Sequence, residues 1–161
     1  MFGSFEHSVE TSVFSNFLSR VFAVCGNTNS LTVVLYKWIT FKEISSDGNG
    51  GCISCESEVR IEISHCHFLD VKCSGEGGAL YVRNAFLFLV HSCFELCRTA
   101  LKGNDFGGNA WNVGGNEIDV SEVTIYQCWV NRQCGDSICE FTSGVISVKQ
   151  KNSSNCLDNG D

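Results

Sequence analysis

Cys52 and Cys55 stand at the CxxC spacing used by metal and redox sites, and His65, Cys66 and His67 follow shortly after. A structural zinc needs four convergent ligands in a closed tetrahedral set. Positions three apart on an extended chain point to opposite faces, and no second CxxC supplies the other pair, so the pattern predicts small buried thiols and no metal. A redox CxxC would sit at a helix start, which this segment does not offer. The carboxylates point the same way. Glu56, Glu58 and Glu62 form the densest acidic stretch and read as a solvated strand face, while Asp47, Asp70, Asp105, Asp119 and Asp136 are scattered along the chain. Glycoside hydrolysis needs two carboxyls at a fixed separation, and calcium-assisted elimination needs several around the ion. His65 and His91, 26 apart, fall at one repeat position and read as a ladder before they read as bases. With no nucleophile elbow, phosphate loop or dinucleotide fingerprint, the residues predict no catalytic group, no metal and no cofactor.

The elements that carry these residues repeat. Gly50-Gly51-Cys52-Ile53-Ser54-Cys55 recurs as Gly77-Gly78-Ala79-Leu80-Tyr81-Val82 at a shift of 27, and Phe41, Phe68 and Phe94 follow at 27 and 26. Between these landmarks Val59, Ile61 and Ile63 alternate with Glu58, Arg60, Glu62 and Ser64, the period of a half-buried strand. Short β-prone stretches broken by Gly, Asn, Ser and Asp, with no amphipathic helix between them, exclude helical solenoids. Units of this size bury a continuous core only by stacking, which predicts an all-β parallel β-helix with coils of about 26 to 27 residues. A β-sandwich is the alternative.

Composition agrees. The 161 residues hold no proline, and interior coils need every backbone N–H for the ladders above and below. The net charge of −7 offers no cationic field for nucleic acid, and no apolar run reaches the ~20 residues of a membrane span. No early positive charge and apolar run marks a signal peptide. Eleven cysteines cannot all pair within the chain, so at least one thiol stays free.

Gly77-Gly78-Ala79-Leu80 and Gly50-Gly51-Cys52-Ile53, each after a Phe-containing strand, resemble the repeats of polymorphic outer membrane proteins, which carry GGA[ILV] and FxxN motifs. The FxxN half is altered here to Phe68-Leu69-Asp70-Val71 and Phe94-Glu95-Leu96-Cys97, and Phe14-Ser15-Asn16-Phe17 does not match it. The resemblance spans about Leu31 to Val148. It implies a right-handed parallel β-helix of the pectin lyase-like class and a cell-surface or secreted adhesion module, a fragment of a longer repeat protein. It also keeps a carbohydrate-binding or carbohydrate-active protein as the alternative.

Segment by segment, residues 1–20 are expected to form a cap or irregular stretch, residues 21–148 the β-helix, and residues 149–161 a flexible polar tail. Residues 102–116, with five glycines and four asparagines, read as a projecting loop, since the interval from Phe94 to Trp129 is 35. Cys93-Phe94 and Cys128-Trp129 are expected at one repeat position, and Glu56 and Arg83, 27 apart, as an ion pair between coils. If Val59, Ile61 and Ile63 face inward, a shift of 26 sends Ala85, Leu87 and Leu89 inward and leaves Phe86, Phe88 and Val90 outside. That outer set, with loop residues Phe106 and Trp111, is the candidate contact surface for a protein or carbohydrate ligand or for self-association.

Overall fold

The computed structural model describes residues 6–10, 13–15, 21–22, 32–56, 58–99, 111–128, 139–141 and 144–154. All described regular structure is β. The long face of the molecule runs through β1 (Glu6–Glu10), β4 (Thr32–Lys37), β8 (Val59–Ser64), β11 (Leu80–Val90), β14 (Trp111–Tyr126) and β16 (Val145–Ser154). Each strand is paired in parallel with its successor. A second line joins β2 (Val13–Ser15), β5 (Thr40–Lys42), β9 (His67–Leu69) and β12 (Cys93–Glu95), again in parallel. A third face is a small sheet of β6 (Ser45–Ser46), β10 (Lys72–Cys73) and β13 (Arg98–Thr99). The line β3 (Val21–Phe22), β7 (Ile53–Cys55) and the first residues of β11 and β14, ending on β15 (Cys139–Phe141), completes the circuit. Parallel pairing throughout makes a β-solenoid and excludes the sandwich.

Chemistry repeats along each line. Val34, Ile61, Leu87 and Ile118 form one buried column, and Tyr36, Ile63, Leu89 and Val120 the next. Phe41, Phe68, Phe94 and Ile125 form a third, all fully enclosed. Strand alternation turns every second residue into this core, and burying each large apolar side chain favours the fold by about 1.5–3 kcal/mol.

The chain turns between faces through left-handed residues. Trp38, His65, His91, Glu122 and Gln150 share one corner, and Glu43, Asp70, Leu96 and Gln127 the next, all with φ between 48° and 58°. A side chain at such a φ costs about 1–2 kcal/mol, and here a ladder bond to the next coil fixes the conformation. Trp38 N–H donates to Ser64 O at 3.2 Å, and His65 N–H to Val90 O at 3.2 Å. Gly51 serves a different need, because a Cβ there would lie 2.4 Å from Gly78 O. Its N–H donates to that same oxygen at 2.8 Å, so the two glycines stack as the repeat predicts.

Several boundaries move. Residues 6–10 and 13–15 pair in register with the next coil, Phe14 opposite Phe41, so these two segments continue the strand lines of the helix. Residues 149–154 belong to β16 and not to a tail; residues 155–161 lie outside the described set. Of the expected loop 102–116, residues 111–116 lie in β14 opposite β11, and residues 102–110 are outside the described set. Phe94 pairs with Ile125, an offset of 31, because the residues added to this coil fall between Arg98 and Trp111. Cys128 therefore stands over Cys97, and the pairing of Cys93-Phe94 with Cys128-Trp129 is incorrect.

Candidate functional site

Along the long face the outward positions read as rows. Val33 and Leu35 of β4 are followed by Arg60 and Glu62 of β8, then by Phe86 and Phe88 of β11, then by Glu117 and Asp119 of β14. Ala85, Leu87 and Leu89 are fully enclosed, and Phe86, Phe88 and Val90 are half-buried on the outside. Pairing of Leu87 with Ile61 gives the shift of 26 that this orientation requires.

The apolar row is flanked by charge. Arg60 Nε donates to Glu62 Oε1 at 2.6 Å, and its guanidinium lies 4.1 Å from the Phe88 ring centroid. A cation over an aromatic face at an exposed site contributes about 0.5–1 kcal/mol, enough to orient Arg60 but not to seal the ring from a ligand. Glu117 and Asp119 border the row on its other side. The result is an aromatic strip between a guanidinium and two carboxylates.

At the edge of this face the left-handed corner carries a second feature. Trp38 is 60% exposed, its ring stacked on His65 at 3.9 Å, and His65 stacks on His91 at 4.8 Å. His91 Nε2 lies 2.8 Å from Glu122 Oε2, which ends the ladder in a carboxylate. The histidines stack as their spacing predicts. Trp38 lies ahead of the first glycine landmark, so no motif marks it, although its offset of 27 from His65 is the signal that finds it.

The remaining site residues divide. The backbone of Trp111 opens β14 opposite Leu80, and Phe106 lies outside the described residues. Arg83 does not pair with Glu56; its Nη2 lies 3.2 Å from Glu76 Oε2, a neighbour on its own coil, and its guanidinium sits 5.2 Å from the Tyr81 ring. Glu56 and Glu58 are exposed, as a solvated face requires.

Of Cys52, Cys55, Cys66, Cys73, Cys93, Cys97 and Cys128, all but Cys93 are buried. Cys52 and Cys55 do not point to opposite faces: Cys52 lies in the bend ahead of β7, and both enter the core. Buried thiols donate to carbonyls of the coil beside them, Cys66 Sγ to Tyr36 O at 3.5 Å, Cys97 Sγ to Phe68 O at 3.4 Å and Cys128 Sγ to Phe94 O at 3.5 Å. Burial pushes the Cys52 and Cys97 thiols well up and Cys66 up, which makes them poor nucleophiles and poor ligands. Cys97 and Cys128 stand on adjacent coils, and the proximity of Cys128 adds to the rise that burial imposes on Cys97. Among the described residues no group of three or more His, Cys, Asp or Glu is arranged to hold a metal ion. Likewise among them, no helix is long and apolar enough to cross a membrane.

No protein-family model matches the chain, and no curated protein and no solved structure matches it either.

Proposed function

We propose that the chain is a non-enzymatic binding module, an adhesion-type β-helix of the GGA[ILV]-repeat, pectin lyase-like kind that works at a cell surface or after secretion. The observation that carries this reading is the outward row of Phe86, Phe88 and Val90. Its column neighbours one coil away are Arg60, Glu62 and Ser64 on one side and Glu117, Asp119 and Ser121 on the other. An aromatic strip inside a polar face is the arrangement of a contact surface, with apolar area for affinity and a charged border for orientation. The double change Phe86→Ser, Phe88→Ser tests it. Circular dichroism and cooperative melting should be retained, while capture of the oligosaccharides or matrix proteins that the unchanged chain binds on an array should be lost. Equal capture by the variant, or loss of the fold, would sink this reading.

A carbohydrate ligand is favoured by the Trp38, His65 and His91 stack, since a sugar ring packs its C–H face on an exposed aromatic plane. Trp38→Ala should then weaken oligosaccharide capture and leave protein capture unchanged.

A further inference from the structure

The last described strand leaves part of the core open. Ile118 and Val120 of β14 are fully enclosed, but Ile146 and Val148, which follow them in the same two columns on β16, are 42% and 41% exposed. Val145 beside them is 71% exposed. Among the described residues β16 pairs with β14 alone, so its other edge presents backbone donors and acceptors outside any strand ladder. A solenoid coil is stabilised by the neighbour that covers it, and an uncovered apolar edge is a template for another strand.

On the far side of the same sheet, β1 pairs with β4 alone among the described residues. Following the registers from coil to coil puts Glu6 and Val145 in one column, then His7 with Ile146, Ser8 with Ser147, Val9 with Val148 and Glu10 with Lys149. The same sequence offset relates Val13–Ser15 of β2 to Asn152–Ser154 of β16. The two edges therefore match position for position on both sides of a corner. A second copy set with its β1 and β2 against β16 would continue the ladders as an internal coil does, and would cover the open ends of the Ile118 and Val120 columns.

Charge selects this pairing over the others. β16 carries Lys149 and Lys151 and no carboxylate, while β1 carries Glu6 and Glu10 and no Lys or Arg. Lysines on an edge repel a second copy of that edge, so β16 against β16 is disfavoured. Against β1, Lys149 stands opposite Glu10, an opposite-charge pair of the kind that stabilises neighbouring strands.

We infer that the open edge of β16 binds β1 of a second copy of this chain, head to tail and in parallel. A contact between two different surfaces does not close on itself, so copies add in a row and extend one core. The joint lies on β16 and β1 and does not depend on the aromatic strip of β11.

The test is analytical ultracentrifugation of the whole chain, with a reductant present, at concentrations reaching about 200 μM. The mass should rise with concentration and pass beyond that of a dimer. Ile146→Lys and Val148→Lys change side chains that are already exposed, so circular dichroism and melting should be kept while association weakens at least about tenfold. Lys149→Glu and Glu10→Lys should each weaken it about fivefold, and an equimolar mixture of the two should restore it, because every joint between the two variants again sets a lysine opposite a glutamate. Phe86→Ser, Phe88→Ser should leave association unchanged, which separates this joint from the aromatic strip. A monomer at the highest concentration, a dimer that does not grow, association unchanged in a folded Val148→Lys, or no recovery in the mixture would each overturn the inference. Loss of association in Phe86→Ser, Phe88→Ser would place the contact on the strip and overturn it as well.

Discussion

The rings of Phe68 and Phe94 lie 2° from parallel with centroids 4.5 Å apart, and Phe41 continues the stack on the other side of Phe68 at 4.8 Å. Phe68 thus has a ring on each face and no exposure at all. Phe68→Ala would open a cavity that two rigid neighbours cannot fill, at a cost of about 3–5 kcal/mol. Urea unfolding of the variant should show the midpoint falling accordingly, with the slope unchanged; a loss below about 1 kcal/mol would mean that the stack is not packed as described.

The outer ladder should behave differently. His91 and Glu122 are about half exposed, so water and salt screen their pair. His91→Ala should cost less than about 1 kcal/mol in the same assay, although its geometry is as regular as that of the phenylalanines.

Gly51 tests the close approach of coils. An alanine methyl would lie 2.4 Å from Gly78 O and 2.5 Å from Val71 Cγ1, and the first of these is backbone that cannot step aside. Gly51→Ala should therefore destabilise by about 1–3 kcal/mol, the range of overpacking, against the few tenths expected at a roomy glycine. Thermal melting of the two proteins side by side measures it.

The buried thiols set an alkaline limit. Cys52, Cys66 and Cys97 have folded-state pKa values raised above 9.0 by burial, so the folded chain holds protons that the unfolded chain releases. Their contribution is complete below the unfolded thiol pKa and is lost as pH rises through the folded one. Each thiol whose proton is still held removes about 1.4 kcal/mol per pH unit in that window. Melting temperature should fall from about pH 9 upward in the presence of a reductant, and Cys52→Ala should flatten the fall, whatever it costs at neutral pH.

Much of the solenoid is legible in the sequence because one face is buried at every coil, so apolar residues must recur at the coil period, as Phe41, Phe68 and Phe94 do. The orientation of Phe86 and Phe88 follows from the same rule, since a one-residue slip would reverse both faces of β11. The offset in the coil after Phe94 is illegible from landmarks alone. The side chain opposite Phe94 is Ile125, and a search for aromatic spacing finds Trp129 instead. Phe14 is missed for the complementary reason: the landmark is present, but its neighbours Ser15, Asn16 and Phe17 do not repeat the motif letters. Arg83 shows a third limit. Sequence offset fixes which residues lie in one column, not which of several reachable carboxylates a long side chain selects, and Glu76 wins over Glu56.

Bonded partners are separated along the chain by little more or less than one coil, from 26 between Lys72 and Arg98 to 32 between Val21 and Ile53. Each added turn therefore closes a loop of nearly constant length, and the entropy it loses varies by only tenths of a kcal/mol from one turn to the next. Growth from any formed turn meets the same barrier in either direction, so the order of assembly is decided by side chains. Turns holding three phenylalanines in line, from Phe41 to Phe94, gain the most on docking. These turns are therefore expected to form first, with the turns on either side added afterward as on a growing filament.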